Sequence, residues 1–328
     1  MSATLPPGRV DSAPLAAPFP AEHGALPFRA VRYEALGAAE NPAVVVLGGI
    51  SATRHVAAHR DDPSPGWWEA QVGPGRALDT DRFRVVGVDY LGAELGRGDD
   101  VPRIGTRDQA RAVAAALDDL GVGKAHAVVG ASYGGMVALA FASLFPERAE
   151  RIVVVAAAHE PHPMATAVRS VQRGIVRLGL ASGRADEGLA LARALAMTTY
   201  RTAEEMTARF DTAPLPAEER VRFPVEAYME HCGRRYVESF TPERFLALSE
   251  SIDLHRVDPA AVRVPATLVA VEGDSVAPAW QLRDLASRLG APAALHVIES
   301  IYGHDAFLKE TDAVATLLTL ALGREQPT

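Results

Sequence analysis

Six short apolar runs recur at wide intervals along the chain: Val44–Leu47, Phe83–Val88, Ala127–Val129, Ile152–Val155, Thr267–Val271 and Ala294–Ile298. They are rich in β-branched residues and nearly uninterrupted instead of alternating, which is the pattern of strands covered on both faces of a parallel sheet. Between them the period lengthens. Thr106–Leu120 places Ala110, Val113, Ala114, Leu117 and Leu120 on one stripe, with Thr106 and Gln109 spaced as a capping box and Gly121 as the stop. Gly134–Leu144 predicts a second helix that ends before Pro146. Strand and helix alternate, so the chain reads as α/β, with a mostly parallel central sheet and helices on both faces.

The alternation lapses over 159–258. There Ala165–Leu178, Glu187–Thr199 and Pro242–Ser251 show helical spacing and no strong strand appears, so this stretch predicts a helical insertion into a core made of 25–158 and 259–328. Residues 1–24 hold Pro6, Pro7, Pro14, Pro18 and Pro20 among small residues, which predicts a flexible N-terminal arm without a signal-length apolar run. No stretch approaches the roughly 18–20 apolar residues of a membrane span.

At 328 residues the chain fits one large domain with an insertion. Acidic residues outnumber basic ones 41 to 33, a balance that disfavours nucleic acid and anionic membranes as partners. The single cysteine, Cys232, rules out an intrachain disulfide and a cysteine-based metal site, and suits a reducing cytoplasm.

The most informative segment is Gly130-Ala-Ser132-Tyr-Gly134, in which a predicted strand runs through G-x-S-x-G directly into a predicted helix. A serine on such a sharp turn needs small residues two positions either side, because the backbone packs against adjacent elements. The turn also sets Ser132 at a helix N-terminus, whose free amides favour a developing oxyanion. A nucleophilic serine needs a base and a group that orients the base, and in this architecture the chain order is serine, acid, histidine. Asp274 follows the strand Thr267–Val271, with Glu272 as its nearest competitor, and His304 lies in the loop after Ala294–Ile298. Asp253, Asp258, His255 and His296 lack that placement. The oxyanion would be held by the amide of Tyr133 and by one from Gly48 or Gly49, in the loop after an earlier strand.

Metal chemistry is not supported. His55 and His59 are four apart and His159 and His162 three apart, but neither pair forms H-E-x-x-H, and Pro161 and Pro163 spoil the second as a ligand helix. Gly92, Gly96 and Gly98 form neither a phosphate loop nor G-x-G-x-x-G.

Val46–Ala52, Gly130–Met136, Ala196–Thr202 and Gly303–Leu308 together resemble the homoserine O-acyltransferases of the MetX type, members of the α/β-hydrolase superfamily, over about residues 40–320. The resemblance implies an α/β-hydrolase fold with the insertion as a lid. It implies transfer of an acyl group from acyl-CoA, as a co-substrate, to the hydroxyl of L-homoserine through an acyl-serine, in methionine biosynthesis, with no permanently bound cofactor and a homodimer formed through lid helices. An amino-acid acceptor brings a carboxylate and an ammonium, each of which needs a charged partner once buried. By resemblance, Arg201 grips the carboxylate from the lid and Asp305 holds the ammonium.

The elbow carries Ala131 and Tyr133 where acetyl-type enzymes often have Gly and Met or Leu, and the chain is more like the shorter succinyl-associated branch; succinyl is favoured over acetyl. L-serine, one methylene shorter, is an alternative acceptor. An esterase using the same triad and a noncatalytic receptor are the rival readings. Arg169, Arg173 and Arg177 line one helix face and could meet coenzyme A phosphates or a succinyl carboxylate, although such runs are usually solvated.

Overall fold

A computed structural model describes residues 5, 8–17, 19–215 and 221–323. Eight strands form one sheet: β1 (Arg9–Pro14), β2 (Ala30–Leu36), β3 (Ala43–Leu47), β4 (Arg84–Val88), β5 (Ala127–Ala131), β6 (Ile152–Val155), β7 (Ala266–Glu272) and β8 (Ala293–Glu299). Their order is β1-β2-β4-β3-β5-β6-β7-β8. Strands β3 to β8 pair in parallel, and β2 joins β4, and β1 joins β2, antiparallel.

The apolar runs are explained by two cores. Val45, Leu47, Val128 and Val154 face α1 (Thr106–Asp119) and α2 (Tyr133–Leu144) on one side. Val44, Val46, Val129 and Val153 face Trp68, Val314 and Leu318 on the other. Successive residues of a strand point to opposite faces, so both must be apolar when both are covered.

Between β6 and β7 lie five helices among the described residues: α3 (Pro163–Ala181), α4 (Ala185–Tyr200), α5 (Ala203–Arg209), α6 (Pro224–Val237) and α7 (Pro242–Leu254). The insertion is therefore helical, and it includes α5 and α6, which its periodicity did not mark. After it come α8 (Ala279–Arg288), α9 (Ala306–Lys309) and α10 (Thr311–Ala321).

Two expectations need correction. The arm expected to be flexible supplies an edge strand: Arg9–Pro14 pairs residue by residue with Ala30–Ala35, with Ala13 and Leu15 buried. Pro14 is tolerated because it sits at the sheet margin, where no ladder bond is lost. Pro6, Pro7 and Pro18 lie outside the described residues. The start of α1 is also built differently. Gly105 takes the cap position and its amide donates to Asp108, while Thr106 turns its hydroxyl to His255 and Gln109 exchanges two hydrogen bonds with the backbone of Leu91. Thr106 and Gln109 tie α1 to neighbouring elements instead of capping it.

Candidate active site

The site grows from the ends of β5, β7 and β8. Ser132 joins β5 to α2 at φ +53°, a conformation that costs a residue with a Cβ about 1–3 kcal/mol and persists only where packing enforces it. The packing is visible at its neighbours. A Cβ on Gly130 would stand 2.1 Å from the carbonyl oxygen of Gly134, and one on Gly134 would stand 2.2 Å from that of Leu47. The Ser132 amide donates to Val155 in β6, which pins the turn to the next strand.

The Ser132 hydroxyl donates to His304 Nε2 at 2.7 Å, and His304 Nδ1 donates to Asp274 Oδ2 at 2.7 Å. The carboxylate fixes the tautomer, leaving Nε2 as the acceptor. Asp274 is fixed in turn: its Oδ1 accepts from the amides of Val276 and Ala277. Glu272, its competitor, pairs outward with Arg283. Both His304 and Asp274 are buried. Burial pushes the imidazole pKa down, but the charge and hydrogen bond of Asp274, helped by Asp305, outweigh it, so His304 is raised above its ordinary value.

The two glycines of the expected oxyanion loop differ. The Gly48 carbonyl accepts from the Gly134 amide and the Tyr90 hydroxyl, and its Cα is walled in by Ala52 and Trp67. Gly49 lines a cavity of about 160 Å³ with Ser132 and His304. The Tyr133 hydroxyl is buried and bonded to Ser251, so its side chain braces the elbow against α7 while its amide opens α2.

Of the two residues expected to hold an amino acid, Asp305 lines this cavity and Arg201 does not. Arg201 lies in an adjoining basin of about 640 Å³, held by Glu205 at 3.2 Å and Asp305 at 3.1 Å. Arg193 lines both spaces. Its guanidinium lies over the rings of Tyr200 and Tyr236, 5.3 and 4.9 Å from their centroids, and it pairs with no carboxylate among the described residues. Sequence reasoning missed it. The basin is basic, with Arg209, Arg235 and Lys309 around its rim.

The structure brings His55 and His59 together with Glu34. Their hydrogen bonds assign the protons. His59 Nδ1 accepts from the amides of Gly8 and Asp61, which puts its proton on Nε2, 3.4 Å from Glu34. His55 faces the Ser64 carbonyl with Nε2 and Glu34 with Nδ1, acceptors on both sides. Only His55 hydrogen-bonds Glu34; His59 Nε2 has no hydrogen-bond partner among the described residues. Among the described residues His159 and His162 join no such cluster: His159 lies between Asp284 and Arg288, and His162 Nδ1 accepts from the Met164 amide.

The family model described as alpha/beta hydrolase fold matches residues 42–311. A homoserine O-succinyltransferase of Xanthomonas campestris is 49% identical over 292 residues, covering 89% of this chain and 78% of that one. A serine O-succinyltransferase of Litchfieldella anticariensis is 33% identical, covering 90% and 93%. In fold, a crystal structure of a homoserine O-acetyltransferase from Bacillus anthracis superposes with a TM-score of 0.82 at 20% identity, covering 99% of this chain and all of that one. Among the described residues no helix is long and apolar enough to cross a membrane. A triad on this elbow, under a helical roof and with relatives of this identity and coverage, means that the chain belongs to the homoserine O-acyltransferase family of the α/β-hydrolase superfamily.

Proposed function

We propose that this protein transfers an acyl group, succinyl in preference to acetyl, from acyl-CoA to the hydroxyl of L-homoserine, in the cytoplasm and on the way to methionine. The observation that carries the acceptor is the meeting, in one cavity with Ser132, of an aspartate and an arginine that has no carboxylate partner among the described residues. An esterase needs neither. Arg193 takes the carboxylate and Asp305 the ammonium; Arg201, already committed to Glu205, holds Asp305 in place. The basic basin that opens beside the cavity receives the phosphates of coenzyme A at Arg209, Arg235 and Lys309.

Two half-reactions follow. His304 Nε2 takes the proton of Ser132 as Oγ attacks the thioester carbonyl, and the amides of Tyr133 and Gly49 hold the oxyanion. Collapse expels the thiol, which takes the proton back from His304, and leaves an acyl-serine. The homoserine hydroxyl then gives its proton to His304, attacks the acyl carbon, and Ser132 is restored. The lid roofs the serine against water during the second half. A homodimer through the lid is supported by the apolar row Met164, Val171 and Leu178, spaced seven apart on α3 and 65%, 55% and 70% exposed.

The test is an acceptor and donor matrix. The protein is incubated with succinyl-CoA or acetyl-CoA and with homoserine, serine or water, and thiol release and product mass are followed. Transfer to homoserine above hydrolysis is expected, with an acyl adduct on Ser132 that Ser132→Ala abolishes. Arg193→Leu is expected to lower kcat/KM for homoserine about 100-fold, near the value of a charged hydrogen bond, while acylation of Ser132 persists. Equal rates to water and homoserine would overturn the reading.

A further inference from the structure

A short stretch of the lid touches both of the loops that carry the acid and the base of the triad. Helix α4 ends at Tyr200 and α5 begins at Ala203, so residues 199–202 turn one lid helix into the next. The Thr199 carbonyl belongs to the last turn of α4, which no amide of that helix satisfies, and it accepts from the Ser275 hydroxyl at 2.8 Å. Ser275 directly follows Asp274. Arg201 pairs with Asp305, the residue after His304, at 3.1 Å. The Thr202 hydroxyl donates to the carbonyl of Ile301, in the turn that leads into His304. Between these contacts the Tyr200 ring lies with its centroid 5.7 Å from that of the His304 imidazole.

The fit is close on the side of the base. Gly303 takes φ +55°, and a Cβ there would stand 3.1 Å from the Tyr200 carbonyl oxygen and 3.2 Å from the Thr202 methyl. On the side of the acid, a Cβ on Gly273 would stand 3.7 Å from the same methyl. One threonine side chain therefore lies between the two loops. The loops leave different strands, β7 and β8, and they meet in the bond from His304 Nδ1 to Asp274 Oδ2 at 2.7 Å. Asp274 is braced by amides of its own loop. The turn before His304 is braced from the lid, for among the described residues the Ile301 carbonyl accepts from Thr202 alone. The same hydroxyl accepts from the Glu205 amide at 3.1 Å and so caps α5. A hydroxyl can do both at once, which ties the start of a lid helix to the base turn through one oxygen.

We propose that Thr202 and Ser275 are positioning residues of the triad, which, with Arg201 between them, clasp the Asp274 loop and the His304 turn together from the lid side. The base then keeps its distance to the acid only while residues 199–202 are seated, and the lid serves the base as well as roofing the serine. The clasp rests on the acyl-transfer reading, which supplies the reaction in which its effect is measured.

The experiment is kcat and KM across the acid limb, with homoserine and whichever of succinyl-CoA and acetyl-CoA the wild type turns over faster, for the wild type, Thr202→Val, Thr202→Ser and Ser275→Ala. The kcat is expressed per Ser132 titrated by the thiol burst of a single turnover, and thermal unfolding is followed for each. Thr202→Val keeps the branched shape and removes both bonds of the hydroxyl, and Thr202→Ser keeps both. Ser275→Ala leaves the α5 cap untouched, so it carries the test if Thr202→Val does not fold. The kcat is expected to fall about 30-fold in Thr202→Val and about fivefold in Ser275→Ala, with KM for the donor within about twofold, and to recover to within about threefold in Thr202→Ser. The acid limb is expected to move down towards 6.5 in Thr202→Val and Ser275→Ala, because an imidazole held less firmly by Asp274 keeps less of its raised pKa. A role confined to stability would lower the unfolding midpoint and the titrated fraction while leaving kcat per site and the acid limb in place; that result, or a loss confined to KM, overturns the proposal. The low-field proton resonance of His304 Nδ1, read by NMR without substrate, is expected to shift upfield in both variants, and an unmoved resonance also counts against the clasp. It judges the clasp even if the wild type acylates Ser132 from neither donor, a result that would sink the transferase reading alone.

Discussion

At the scale of single residues, the position of His304 sets the pH behaviour. Its Nε2 must be unprotonated to accept from Ser132, and Asp274 holds the pKa above the ordinary 6.5. The sign follows: activity is lost as pH falls through that raised value, so the acid limb of kcat/KM is expected above pH 6.5. Asp274→Asn removes the charge and lets the ring adopt the other tautomer. It is expected to lower kcat on the order of 10³- to 10⁴-fold, and to move the remaining acid limb downward. A pH–rate profile of both proteins checks this; a wild-type limb at or below 6.5 contradicts the assignment. The three triad members were legible in the sequence because each sits where a strand ends, a place that a linear pattern can mark. Arg193 was not. Its role depends on what surrounds it in space, two tyrosine rings and, among the described residues, no paired carboxylate, whereas Arg201 looks free in the sequence only if Glu205, four residues on, is overlooked.

At the scale of elements, the insertion is fastened to the core by a buried neutral histidine. His255 closes α7; its Nδ1 accepts from Thr106 at the start of α1, and its Nε2 donates to the Ala158 carbonyl just past β6. Burial drives its pKa down to about 3, against the Ala158 bond, which works the other way. The unfolded chain binds a proton there near pH 6.5 and the folded chain does not. Stability from this group is therefore complete above 6.5 and is lost as pH falls from 6.5 towards 3, by at most about 1.4 kcal/mol per pH unit. Unfolding midpoints measured between pH 7 and 4 are expected to fall more steeply for the wild type than for His255→Gln; parallel slopes would place the acid sensitivity elsewhere. This fastening could not be read from the sequence, because His255 offers only an unplaced histidine. Strands β1 and β2 were missed for a related reason. Strand β2 carries Glu34, a charge that argues against a buried strand until His55 and His59 close over it, and β1 is an edge strand with four exposed residues at its start.

At the scale of the whole molecule, the lid faces two ways. Its inner side roofs the serine with Arg169, Gln172, Arg193 and Tyr200. Its outer side carries Val171 and Leu178, with Leu191 of α4, 61% exposed, as a further large apolar side chain. Isolated exposed apolar residues are ordinary, but a row at seven-residue spacing along one helix is the seam of a helix pair. A second copy supplies the complementary row without any new sequence, since a two-fold axis sets the same stripe against itself. The helix that would form the seam also lines a cavity beside Ser132, so the dimer would steady that wall. Light scattering coupled to size exclusion is expected to give a dimer for the wild type and a monomer for Leu178→Asp with Val171→Asp, both substitutions lying on exposed positions that leave the core intact. A wild type that stays monomeric at micromolar concentration would leave the row without a partner.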